Sequence, residues 1–232
     1  ADVAASATLN WMRYKAMRAH RQLQHSYAQI LVMEARGIED DGKADTLKRA
    51  HAREARTKAE LFWESMLMAD STDMFVRSLM AMNLERLGRY DESFRMFDYL
   101  LKNAGPSRLD WPELLNYYGY SLIDLNRSPE DVEKGYQMVL KALEMEKAET
   151  PNEAFLDSKA WALYRMGRYD EAHSAMLLIK SKNFEKDYVY WEHLAAIQAA
   201  LGKKSDATKS YKKLLKLRPN HAAAKEFLGK KK

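Results

Sequence analysis

The sequence predicts an all-α fold: antiparallel helix–turn–helix units stacked into a solenoid behind a long N-terminal helical hairpin. Three observations carry this. A short glycine-centred segment recurs, as Leu87-Gly88-Arg89-Tyr90-Asp91-Glu92-Ser93, Met166-Gly167-Arg168-Tyr169-Asp170-Glu171-Ala172 and Leu201-Gly202-Lys203-Lys204-Ser205-Asp206-Ala207. Each copy stands between two runs whose apolar residues recur at three- and four-residue spacing, the signature of an amphipathic helix. The chain also has only nine glycines and five prolines in 232 residues, too few for an all-β domain full of tight turns.

The elements follow in order. A helical stretch from roughly Ala5 to Ala35 is expected to end at Gly37, with Glu39-Asp40-Asp41-Gly42 as a turn. A second helix begins near Asp45 and carries Ala59, Trp63, Met66 and Leu67. Residues 1–72 therefore read as an extended hairpin continuous with the solenoid. Four repeats follow, approximately at 73–106, 110–149, 151–184 and 187–220. Gly167 and Gly202 are 35 residues apart. A degenerate turn with Asn126 at the glycine position lies 38 residues after Gly88 and 41 before Gly167. Glycine suits these positions because it adopts a left-handed backbone conformation without a Cβ clash.

Helix starts are signalled as well. Thr150-Pro151-Asn152-Glu153 reads as a capping box with proline at the first helical position. Ser128-Pro129-Glu130-Asp131 has a similar layout, and Asp73, Asp110 and Asn220 are further caps. His221 to Leu228 reads as a short helix stopped by Gly229. With the tail Lys230-Lys231-Lys232 it makes a closing segment, residues 220–232, that covers the apolar face of the last repeat.

Paired helices must approach to about 8–10 Å. Small residues recur where they would cross: Ala81, Gly119, Ala160 and Ala195 on first helices, and Ser93, Gly135, Ala172 and Ala207 on second helices. Larger side chains one turn away, such as Phe97 and Tyr211, would fill the gap to the next unit.

These residues resemble the tetratricopeptide repeat family, whose unit is about 34 residues. The fourth repeat carries the pattern best, with Trp191, Leu194, Ala195, Gly202, Ala207, Tyr211, Leu214 and Pro219. The third has Ala160, Leu163, Gly167, Tyr169, Ala172, Met176 and Ile179, with Phe184 where proline is expected. The first has Ala81, Leu84, Gly88, Tyr90, Ser93, Phe97 and Leu100, with Pro106 one place late. The second has Tyr118, Gly119 and Leu122, then Gly135, Val139 and Ala142. The resemblance implies a right-handed α-solenoid over residues 73–219, whose first helices line an inner groove for a peptide or partner helix.

The run from Asp157 through Trp161 and Tyr164 to Ala172 is also similar to a bacterial subgroup of that family. Its members are often envelope adaptors. That likeness implies a periplasmic or cell-envelope adaptor. The opening Ala1-Asp2-Val3 would suit the start of a mature exported protein, and equally a boundary within a longer chain. Lys159 and Ala160 replace the subgroup's Leu-Gly. No lipid-bearing cysteine is present.

Composition excludes several chemistries. Zero cysteines rule out disulfides, thiolate zinc sites and a cysteine nucleophile. No two of the six histidines have the spacing of four that puts two ligands on one helix face. Gly202-Lys203-Lys204-Ser205 lacks the first glycine of a phosphate loop, with Ile197 in its place. No catalytic, cofactor or metal residue is expected, and no small-molecule substrate. No apolar run is long enough for a transmembrane helix. From Leu201 onward eleven Lys or Arg face two acids, a net of +9, which leaves −4 for the first 200 residues. Base-stacking aromatics do not punctuate that basic stretch, which argues against nucleic acid as the partner.

The expected function is therefore a non-catalytic scaffold that binds a peptide or protein. The candidate contact residues are Phe75 and Met82 of the first repeat, Tyr117, Tyr120 and Asp124 of the second, and Asp157, Trp161, Tyr164 and Arg165 of the third. Ser78, Met82, Asp157 and Trp161 stand where the family's clamp for chaperone C-terminal carboxylates needs Lys, Asn and Arg, so chaperone-tail binding is not expected. An alternative is an accessory subunit of an envelope complex, docked through Met12, Met17, Leu23, Tyr27, Ile30, Leu31 and Met33 of the hairpin. The apolar hairpin and solenoid ends would also admit a homodimer.

Overall fold

The structure is a computed structural model that describes residues 2–105, 109–146 and 150–229, with side chains from residue 8 onward. Pro106, expected to close the first repeat, and Lys230-Lys231-Lys232 lie outside the described residues. Every regular element among the described residues is a helix. They fall into two compact units, residues 1–108 and 109–232.

The first unit holds four helices: α1 (Asp2–Asp40), α2 (Thr46–Ala69), α3 (Met74–Arg86) and α4 (Tyr90–Asn103). α1 does not end at Gly37, as the sequence suggests, but runs through it to Asp40. Gly37 has no positive φ, and interior glycine costs a helix only about 1 kcal/mol relative to alanine. The reversal comes at Asp41, whose carboxylate accepts from the Lys43 amide (2.9 Å), and Asp45 then caps α2 by accepting from the Lys48 amide (2.9 Å). Small residues bring α1 and α2 together: Ala28 and Ala35 on one helix, Ala52, Ala55 and Ala59 on the other, all buried. Trp63, Val76, Met80 and Leu84 complete this core.

Charged side chains lock the same unit. Arg56, buried on α2, grips Glu39 with two bonds of 2.6 Å and also donates to Asn83 of α3 (3.2 Å). Arg89 bridges Glu60 and Glu92. Asp73 caps α3 by accepting from the Val76 amide (3.0 Å) and is held by Arg21 of α1 (2.6 Å).

The second unit contains α5 (Trp111–Leu125), α6 (Pro129–Met145), α7 (Glu153–Arg165), α8 (Tyr169–Met176), a 3-10 turn (Lys182–Lys186), α9 (Tyr188–Ala200), α10 (Lys204–Leu217) and α11 (Ala222–Gly229). The turns use the residues the sequence singles out. Gly88, Gly167 and Gly202 have φ of 79°, 77° and 70°, and Asn126 takes the same left-handed region at 48°. Ser128 caps α6 with Pro129 in its first turn. The small residues Ala160, Ala172, Ala195 and Ala207 are buried, and in the first unit so are Ala81 and Ser93.

Two local expectations are corrected, and one helix is shorter than its repeat pattern. Asn152, not Thr150, caps α7, so Pro151 precedes the cap instead of opening the helix. α8 stops at Met176, short of Ile179, the last apolar position of the third repeat's pattern. Glu153 explains this, because its carboxylate accepts from the backbone N–H groups of Lys180 (2.6 Å) and Ser181 (3.0 Å) and holds the chain in a turn. Finally, α11 starts after His221, whose Nδ1 accepts from the Ala224 amide (3.3 Å), whereas Asn220 accepts from Lys225. α11 packs Ala224 and Phe227 onto Tyr211 and Leu214 of α10. No described helix is long and apolar enough to cross a membrane.

Candidate protein-binding face

In the second unit the first helices of successive repeats are α5, α7 and α9. Side chains one repeat apart in sequence meet there. The Trp161 indole N–H donates to Asp124 Oδ1 (3.1 Å). Arg165 donates to the Asp124 carbonyl oxygen (3.1 Å), and its guanidinium lies 4.5 Å above the Trp161 ring. Trp161 stacks on Tyr164 at 4.8 Å and on His193 at 4.0 Å, both nearly parallel. His193 in turn pairs through Nδ1 with Asp157 Oδ2 at 2.8 Å.

This arrangement sorts the sequence-predicted residues. Asp157 and Trp161, expected to face outward, are buried at 7% and 6% exposure, and Ser78 of the first unit is buried as well. They support the face and do not form its outer surface. Tyr117, Tyr120, Tyr164 and Arg165 are half-buried, and Asp124 is exposed. Phe75 and Met82 belong to the other compact unit. There Phe75 is half-exposed and packs on His25 of α1 (5.6 Å), while Met82 is half-buried.

Carboxylates gather around two tyrosines of the second unit. Burial pushes the Tyr120 phenol well above its ordinary pKa, and Asp124, Asp157 and Glu192 add to the effect. Burial also raises the Tyr190 phenol, with Asp157 and Glu153 contributing. Tyr120 and Tyr190 are therefore neutral hydroxyl donors at physiological pH. Buried Asp157 Oδ1 and Asn116 Oδ1 have no hydrogen-bonding partner.

His193 was not expected at the site. Only the repeat period could have found it, because it lies 36 residues after Asp157, close to one repeat. Among the described residues no group of three His, Asp or Glu is placed to hold a metal ion.

Neither a family model nor a curated protein sequence matches the chain. Solved structures do. PilW, a widely conserved type IV pilus biogenesis factor, superposes with a TM-score of 0.60 at 16% identity, covering 90% of this chain and 88% of its own. MamA from AMB-1 superposes with a TM-score of 0.50 at 16% identity, covering 86% of this chain and 93% of its own. At such identity the likeness speaks for the fold. Together with the glycine turns and the small-residue crossings, it makes this chain a protein of the tetratricopeptide-repeat fold.

Proposed function

We propose that this protein is a non-catalytic scaffold that receives a peptide or partner helix in a groove on the first-helix face of its second unit. The observation that carries this reading is the Tyr117–Tyr120–Tyr164–Arg165 surface, held from beneath by the Trp161–His193–Asp157 stack. Tyrosine suits such a role because it offers a large contact area with few rotatable bonds. PilW is a pilus biogenesis factor, and an assembly role is the class of function we carry over from it; a cell-envelope setting rests on the likeness of residues 157–172 to the bacterial subgroup.

The test is affinity capture from the source organism, with identification of the retained protein, followed by a binding measurement on Tyr120→Ala/Tyr164→Ala. The double variant loses core packing and is expected to melt earlier, so binding is compared at a temperature where circular dichroism shows both proteins folded; there it should bind at least about tenfold more weakly, since such aromatic anchors dominate interfaces. Unchanged affinity would place the binding surface elsewhere.

A further inference from the structure

α1 has two apolar faces. One presents Ala28, Leu31 and Ala35 and is buried against α2. The other runs Leu9, Met12, Ala16, Ala19, Leu23, Ser26, Ile30 and Met33, and all eight are exposed. Their steps alternate three and four residues without interruption. Leu23, Ile30 and Met33 have 70%, 59% and 72% of their surface in solvent. An alternation averaging about 3.5 residues is the seam that a second helix buries by supercoiling. α2 does not cover this seam, and it is too short to accompany α1 throughout. At about 1.5 Å per residue, the 39 residues of α1 span roughly 58 Å and the 24 residues of α2 roughly 36 Å. Beside the seam, Tyr27 lines an open apolar pocket with Leu61 and Phe62 of α2.

Charge selects the occupant. No Asp or Glu occurs from Val3 to Met33, whereas Arg13, Lys15, Arg18 and Arg21 do. The positions flanking the seam are Arg13, His20, Tyr27 and Glu34 on one side and Thr8, Lys15, Gln22 and Gln29 on the other. In a parallel second copy Lys15 would face His20, Arg13 would face Thr8 and Glu34 would face Gln29, so no opposite charges would pair. A helix with Glu or Asp at its flanking positions would pair with Arg13 and Lys15. A lipid surface fits less well, because interfacial helices bury a broad face of large apolar side chains. Trp11, Tyr14 and Met17 are exposed off the seam, but the seam itself is notched at Ala16, Ala19 and Ser26, where knobs of a partner helix would seat.

We propose that the outer face of α1 is a coiled-coil seam for an acid-flanked amphipathic helix of another protein. This surface is separate from the tyrosine face of the second unit, and neither reading depends on the other.

The probe is a synthetic helix of about 28 residues, four heptads, with Ile and Leu in the seam and Glu on the flanks. Full-length protein is titrated with it by calorimetry. The Glu-flanked helix is expected to bind at least about tenfold more tightly than the same helix with Lys on the flanks, and to weaken with added salt. Leu23→Glu/Ile30→Glu should abolish binding. So should Met12→Glu/Ala16→Glu, which lies on the exposed N-terminal stretch of α1. Three results would overturn the proposal. One is equal binding of the Glu and Lys helices, or unchanged binding by both variants. Another is a wild-type dimer in sedimentation that these substitutions dissociate, which would make a second copy the occupant. The third is no peptide binding but a blue shift of Trp11 emission on phosphatidylglycerol vesicles, lost in both variants, which would make it a membrane face.

Discussion

Gly119 and Gly135 meet across the α5–α6 crossing with no room for a methyl group on either. A Cβ on Gly119 would lie 2.7 Å from the Gly135 carbonyl oxygen, and one on Gly135 would lie 2.5 Å from the Gly119 carbonyl oxygen. Backbone atoms cannot step aside as side-chain ends can. In an open helix glycine-to-alanine gains up to about 1 kcal/mol. Here Gly119→Ala and Gly135→Ala are both expected to destabilise by about 1–3 kcal/mol, as overpacking does. Urea denaturation measures it. A stabilised variant would show that the two helices can separate at little cost.

Gly167 presents the opposite case. A Cβ there would meet nothing within 4 Å, yet φ is +77°. Gly167→Ala is expected to cost about 1–2 kcal/mol through backbone conformation alone. Gly167→Asn should cost less, because asparagine visits this region more readily and already does so at Asn126. Equal melting of the Ala and Asn variants would remove the conformational explanation.

These two positions also show what the sequence makes legible. Turn glycines and crossing residues follow from local rules, so Gly167, Asn126 and the Gly119–Gly135 contact are readable in one dimension. The site is less readable. Helical phase places Asp157 and Trp161 relative to their own partner helix, α8, but says nothing of the next first helix, α9. It is α9 that brings His193 over Trp161 and buries both. The early end of α8 is hidden for a similar reason. The acceptor that stops it, Glu153, lies 27 residues before Lys180, on another helix.

Asp157 and His193 supply a third test. Their 2.8 Å pair is buried, and His193 stacks on Trp161. Asp157→Ala is expected to cost about 1–3 kcal/mol, the range for stranding a buried polar partner. It should also loosen the His193–Trp161 stack and change Trp161 fluorescence, read against a Trp161→Phe control. If stability and emission both stay at wild-type values, the pair does not hold the face in place.

Ala172 supplies a fourth. It has no exposed surface and sits on α8 in the core shared with Ala160 of α7. Ala172→Leu adds three carbons at a filled crossing and is expected to cost about 1–3 kcal/mol. Ala175→Leu, one turn along and slightly exposed, should cost less. The reverse order in thermal melts would mean that the crossing lies nearer Ala175.

His173 gives the pH dependence. It sits in the last turn of α8, with Lys203 Nζ 3.3 Å from its Nδ1. Burial lowers its pKa, and the Lys203 charge lowers it further, only partly offset by Asp170 and Asp206. The unfolded chain titrates near about 6.5. Above that pH His173 is neutral in both states and its contribution to stability is complete. As pH falls below it, the unfolded chain takes up a proton that the folded one still refuses, so stability declines until the folded pKa is passed. Proton NMR of the His173 ring should therefore show a titration midpoint below about 6.5. Lys203→Gln should move the midpoint upward, and His173→Gln should flatten this part of the stability curve. A midpoint indifferent to Lys203 would leave burial as the sole cause of the shift.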